Sequence, residues 1–202
     1  MRIALAAIVL LVFSTAAAGE RTVLVLGDSL SAAYGMDRDQ GWVAQLDRRL
    51  ADKDLPWEAT NASVSGDTTR NGLSRLPRAL ERHEPAIVVI ALGGNDGLRG
   101  VNPDEMRRNL ERMVEIARDA DARVLIAGVR IPPNYGQAYT ERFAQVFDNL
   151  ATEKNLVLVP MILDGVDDNR DLMQDDGIHP TAEAQERILD NVWSKLRPML
   201  EE

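Results

Sequence analysis

A three-layer α/β/α domain on a five-stranded parallel sheet is the architecture this sequence predicts, and three observations predict it. Five apolar runs of strand length recur along the chain, segments of helical period lie between them, and the runs are continuous rather than alternating. Continuous apolar strands belong to a sheet covered on both faces. Strand and helix in turn imply parallel strands joined by right-handed crossovers. At 202 residues, 45% hydrophobic and 27% charged, with no internal repeat, low-complexity tract or linker, the chain suits one folded domain.

The strands are expected at residues 22–26, more weakly at 57–60, then at 86–92, 123–129 and 156–160. Trp42, Leu46 and Leu50 mark the first helical face. Leu73, Leu76 and Leu80 mark the second, which Pro77 should interrupt or restart. In the third, Asn102 reads as N-cap, Pro103 as the first helical residue and Glu105 as the third, ahead of Met106, Leu110, Met113, Val114 and Ala117 on one face. A fourth helix is expected over 137–153, with Tyr139, Phe143, Val146 and Leu150 inward. The last is expected over 182–196, with Ile188, Leu189, Val192 and Leu196 inward.

The first eighteen residues stand apart. Arg2 gives a positive start, residues 3–13 are uninterruptedly apolar, and Ala16-Ala17-Ala18 fits a small-residue cleavage site, so residues 1–18 read as a secretory signal peptide cut between Ala18 and Gly19. The apolar run is shorter than the ~20 residues a spanning helix needs, which argues against a membrane anchor. The mature domain is then 19–202, and a periplasmic or secreted location follows. Cutting removes only Arg2 among charged residues, taking the formal charge from −9 to −10. An acidic chain with no basic block offers no footprint for nucleic acid or an anionic membrane. Without cysteine there is no disulfide, thiolate nucleophile or thiolate metal site.

In a parallel sheet the loops after the strands gather along one edge, where ligands bind in open α/β folds. Four such loops hold the unusual polar residues: Gly27-Asp28-Ser29-Leu30, Asn61-Ala62-Ser63-Val64-Ser65-Gly66-Asp67, Gly93-Gly94-Asn95-Asp96-Gly97, and Asp175-Asp176-Gly177-Ile178-His179-Pro180. Each alone reads equally well as a turn, and Asn61-Ala62-Ser63 also matches a glycosylation sequon. Together and in this order they resemble the four blocks of the SGNH (GDSL) hydrolases. The wording around them, GDSLSAAYGM, NASVSGDTT, LGGNDGLRG and MQDDGIHP, is similar to the secreted bacterial thioesterase, lysophospholipase and arylesterase subgroup.

The resemblance implies a flavodoxin-like fold, a serine nucleophile at Ser29, the remaining triad positions at Asp176 and His179, and oxyanion donors from the Ser29 and Gly66 backbone and the Asn95 side chain. It implies ester and thioester hydrolysis through an acyl-enzyme. The roles have physical requirements. A serine hydroxyl needs a neighbouring base, and imidazole, with a reference pKa of ~6.5, can serve near neutral pH. Of the two histidines, His83 precedes the third strand and belongs to the opposite edge, which agrees with His179 as the base. Asp175 adjoins Asp176, and the family spacing favours Asp176.

No metal or organic cofactor is expected, since a set such as Asp28, Asp176 and His179 has one imidazole and no thiolate. Pro132, Pro133 and Tyr135, in the loop after the fourth strand, are candidates for one wall of an acyl groove. The expected partner is a small acyl ester or lysophospholipid, acted on by a monomer. A carbohydrate O-acetyl esterase of the same fold, a nucleotide binder of flavodoxin type and an exported binding protein without catalysis are the alternatives. Neither a Walker lysine motif nor a dinucleotide fingerprint supports the nucleotide binder.

Overall fold

The computed structural model describes residues 21–201, so the segment read as a signal peptide lies outside the described residues. Five strands, β1 (Arg21–Gly27), β2 (Trp57–Asn61), β3 (Ile87–Ala91), β4 (Arg123–Ala127) and β5 (Val157–Val159), form one sheet in the order β2-β1-β3-β4-β5. Every pairing is parallel. The three central strands bury nearly every residue, and β3 is buried throughout, which is why their sequences lack alternation. The two edge strands are only partly buried, and β2 was accordingly the weakest sequence signal.

Helices α1 (Trp42–Asp52) and α6 (Gln185–Leu200) pack together on one face of this sheet, while α2 (Thr69–His83), α4 (Pro103–Asp119) and α5 (Gln137–Lys154) pack in series on the other. The inward residues expected of α4 are all buried, and Asn102 caps it by accepting from the Asp104 N–H. Helix α2 differs from expectation, because it runs unbroken through Pro77. Proline removes one helical hydrogen bond and strains the preceding turn. Burial of Leu76 and Leu80 on either side of it, with the Thr68 cap accepting from the Asn71 N–H, holds the helix through the defect.

A second difference matters more for the site. The stretch 93–97, expected as a loop after the third strand, is mostly taken up by a short helix, α3 (Gly94–Leu98), that begins soon after β3 ends. Gly97 shows why glycine is needed there: a Cβ would stand 2.4 Å from Ile131 Cγ2 and 2.8 Å from Phe143 Cε2. The last helix is shifted, with a 3₁₀ turn over Ala182–Ala184 ahead of α6. No helix among the described residues is long and apolar enough to cross a membrane.

In this strand order the chain leaves β1 toward β2 on one side and leaves β3 toward β4 on the other. The loops after β1 and β3 therefore diverge and open a crevice between them. Ser29 lies in the first of those loops and Asn95 on the helix after the second.

Candidate active site

Strand β1 ends at Gly27, and the chain then turns so that Leu30 N–H donates to Asp28 Oδ1 at 3.1 Å and Ala32 N–H to the Asp28 carbonyl at 2.9 Å. This Asx turn leaves Ser29 at the crevice. Its Oγ lies 2.9 Å from His179 Nε2, and His179 Nδ1 lies 2.6 Å from Asp176 Oδ2. The 150 residues between serine and histidine are closed by the sheet, as the loop argument requires.

Residues 173–181 form a small self-bonded segment. Met173 bridges to Pro180 in antiparallel fashion, and Gln174 N–H donates to the His179 carbonyl at 2.7 Å. Asp176 Oδ1 accepts from Ile178 N–H at 2.9 Å and His179 N–H at 3.0 Å, while its other oxygen takes the imidazole. The bond to His179, reinforced by those two backbone donors, holds the Asp176 carboxyl down at about 2. A carboxylate so strongly ionised can only accept, so the imidazole proton resides on Nδ1 and Nε2 is left to accept from the Ser29 hydroxyl. Asp175, the competing aspartate, is exposed, and the imidazole is bonded to Asp176 instead. Both imidazole nitrogens are thus engaged, and a metal on His179 would have to displace one partner. His83, the other histidine, closes α2 just ahead of β3, at the opposite edge of the sheet.

On the other side of Ser29, Gly66 adopts φ +83, a left-handed conformation that favours glycine. Neither the Ser29 nor the Gly66 N–H donates to another backbone group among the described residues. Asn95 Nδ2 behaves differently from the free donor expected. It already donates to the Asp67 carbonyl at 3.0 Å and to Asp28 Oδ2 at 3.2 Å. Two acceptors around one nitrogen fix which end of the amide faces the crevice. A carbonyl oxygen arriving there must share or replace the longer bond, the one to Asp28.

Asp28 is itself 3% exposed, and burial pushes its carboxyl up to about 6, against the opposing pull of the Leu30 N–H and Asn95 bonds. Beneath this layer Asp96, buried, accepts from Thr69 N–H at 2.8 Å and Thr69 Oγ1 at 2.6 Å, and Asn109 Nδ2 donates to the same hydroxyl oxygen at 3.0 Å. Burial raises the Asp96 carboxyl as well. Arg75 Nε donates to Asp67 Oδ2 at 2.7 Å, and Arg99 Nη2 to the Gly66 carbonyl at 3.0 Å. Asp28, Asp67 and Asp96 belong to the polar loops, whereas Thr69, Arg75, Arg99 and Asn109 carried no signal in the sequence.

A cavity of about 490 Å³ opens beside Ser29 and His179. Its walls are mainly apolar, with Leu30, Leu98, Val129, Ile131, Met161 and Met173 among them. Pro132 and Pro133 line this cavity. Tyr135 does not: it ends a 3₁₀ turn over Pro133–Tyr135 and its hydroxyl donates to the Leu98 carbonyl at 3.0 Å, tying this loop to α3.

A parallel sheet that carries serine, imidazole and carboxylate in hydrogen-bonded series at its C-terminal edge, open to an apolar cavity, is a serine hydrolase in architecture. Comparison with known proteins agrees with this class. The profile of the GDSL-like lipase/acylhydrolase family matches residues 25–187. Esterase TesA of Pseudomonas aeruginosa is 50% identical over 190 residues, covering 94% of each chain. The thioesterase 1/protease 1/lysophospholipase L1 of Escherichia coli K12 is 42% identical, over 96% of this chain and 90% of that one. Among solved structures, psychrotrophic esterase EstA of Pseudoalteromonas, inhibited by monoethylphosphonate, superposes with a TM-score of 0.86 at 37% identity, covering 90% of this chain and all of that one. The chain belongs to the GDSL-like lipase/acylhydrolase family, and it is an ester hydrolase.

Proposed function

We propose that the protein is an exported serine esterase that cleaves carboxylic esters and thioesters of apolar acyl chains through an acyl-enzyme. The observation that carries this reading is the continuous series Ser29 Oγ, His179 Nε2, His179 Nδ1, Asp176 Oδ2, opening into the apolar cavity. Ser29 Oγ attacks the acyl carbon as its proton passes to His179 Nε2. The carbonyl oxygen becomes anionic against the Ser29 and Gly66 N–H groups and the Asn95 amide. His179 then returns the proton to the departing alcohol or thiol, leaving the acyl group on Ser29. Water enters, gives its proton to His179, and the carboxylic acid leaves as Ser29 recovers its hydrogen. Asp176 keeps the proton on Nδ1 throughout and stabilises the imidazolium without accepting the proton.

The cavity favours a chain of several carbons, since an acetyl group would leave most of 490 Å³ empty, and this counts against the carbohydrate O-acetyl esterase. The names of the relatives support thioester, aryl ester and lysophospholipid substrates. A formal charge of −10 after cleavage gives no attraction to a polyanionic thioester such as acyl-CoA, so lysophospholipids and simple esters are the preferred class. Hydrolysis of an ester panel by the wild type and Ser29→Ala tests the nucleophile, with loss of turnover and of fluorophosphonate labelling expected in the variant. Undiminished labelling ends the assignment. Comparing kcat/KM for a lysophospholipid and an acyl-CoA of equal chain length tests the substrate class, and a large preference for the CoA ester reverses it. Mass spectrometry of the exported protein, expected to begin at Gly19, tests the signal peptide.

A further inference from the structure

Building on the triad assigned above, we propose that Tyr34 is a positioning residue for the His179 base, with the Gln174 carboxamide as the strut that keeps the two rings stacked. The Tyr34 ring lies on the imidazole with centroids 4.3 Å apart and planes inclined by 34°. It is 48% exposed, so core packing does little to hold it there. The backbone holds it instead. Tyr34 N–H donates to the Ser29 carbonyl at 3.3 Å, so the ring is carried by the turn that carries the nucleophile. Gln174 Nε2 donates to the carbonyls of both Tyr34 and Pro180, each at 2.9 Å, while Gln174 N–H holds the His179 carbonyl. One side chain thus ties the backbone beside each stacked ring, across 140 residues of sequence. Gly35, at φ +76, makes room for it, since a Cβ there would stand 2.4 Å from Gln174 Oε1.

The stack supplies what the triad bonds lack. Asp176 and Ser29 hold the imidazole at its two nitrogens, in the plane of the ring, and resist its tilting about the line between them only weakly. An aromatic face pressed on the ring resists that tilt and keeps water off one side of the Ser29–His179 bond. When the imidazole takes a proton, the same face attracts the cation. His179 takes a proton once when the acyl-enzyme forms and once when it is hydrolysed. A residue that acts through His179 must therefore act on both half-reactions, whereas one that touches only the leaving group acts on the first.

Burst and steady-state kinetics of the full chain on aryl and alkyl esters of one common acyl group separate the two steps. Tyr34→Ala is expected to slow acylation and deacylation alike, by roughly five- to tenfold, with KM within about twofold. Tyr34→Phe should retain both rates within about twofold, and Gln174→Ala should move both in the direction of Tyr34→Ala. A change confined to acylation, larger for aryl than alkyl esters, would make Tyr34 a leaving-group contact and overturn the proposal. Unchanged rates in Tyr34→Ala would overturn it too. Failure of the triad itself reads differently, as an acyl-enzyme still formed by Ser29→Ala.

Discussion

On one side of Ser29, the loops after β1, β2 and β3 and the helices that follow them are stitched together by buried and half-buried bonds between distant segments: Asn95 to Asp28 and Asp67, Thr69 to Asp96, Asn109 to Thr69. On the other side, residues 173–181 bond mainly to themselves, and Asp176, with its side chain 40% exposed, reaches three partners all within three residues. Asp28 and Asp176 show the contrast most plainly. Burial lifts Asp28 to about 6, whereas local donors hold Asp176 down at about 2. The donor side achieves fixed geometry by burial, so its chemistry and its stability are coupled. The base side achieves it by a short hydrogen-bonded turn, and there the two separate.

The largest effect that tests this separation is on the base side. Asp176→Asn should lower kcat by about 10⁴-fold, because an amide can stabilise the wrong imidazole tautomer. Its thermal midpoint should fall less than it would for a buried bridge such as Asp96, since the site is exposed and an Asn oxygen can still accept from the Ile178 and His179 N–H groups. A large loss of stability would break the comparison. On the donor side, Asn95→Ala should cost about 10²- to 10³-fold in kcat. Near-normal turnover would reduce Asn95 to a structural bridge between Asp28 and Asp67.

Asp28 gives the next effect, in stability. Its folded value of about 6 lies above its ordinary 3.8, so the folded protein binds this proton more tightly than the unfolded chain does. The resulting stabilisation is fully present below about pH 3.8 and is lost as pH rises through 6. Asp28→Asn has no such loss, so its stability relative to wild type in urea should grow between pH 4 and pH 8 by about 2 to 3 kcal/mol. A difference independent of pH would show that Asp28 is not held near 6. The smallest expected effect is that of Tyr135→Phe, which removes the hydroxyl bond to Leu98 and should cost about 0.5 to 1 kcal/mol with turnover nearly unchanged.

How much of this was legible follows the same division. The strands and the α4 cap are local patterns, and each is close to where the sequence places it, as are the polar loops except that after β3, which is a helix. The series Ser29–His179–Asp176 was expected from the resemblance of the polar loops to a known family, and a parallel sheet, which sends its loops to one edge whatever their separation along the chain, is what allows these residues to meet. What was not legible depends on partners. Pro77 does not end α2, because the burial of Leu76 and Leu80 outweighs one lost bond. Residues 94–98 form a helix, and Gly97 lets it fit against Ile131 and Phe143, which no local rule announces. Asp28 and Asp96 look like ordinary loop acids until their burial and their acceptor roles are seen, and Tyr34 looks like any exposed aromatic until His179 is found beneath it.

The strand order has a consequence in time as well as in space. β1 lies inside the sheet, with β2 and β3 on either side, and the crevice between the β1 and β3 loops exists once those three are paired. The first four strands and the loops between them carry Ser29, Gly66 and Asn95, but not the imidazole bonded to Ser29. The imidazole arrives with residues 173–181, ahead only of the final helix. If the proposed triad acts, a chain cut short before residue 173 is expected to form no acyl-enzyme, which fluorophosphonate labelling of such a truncation would check.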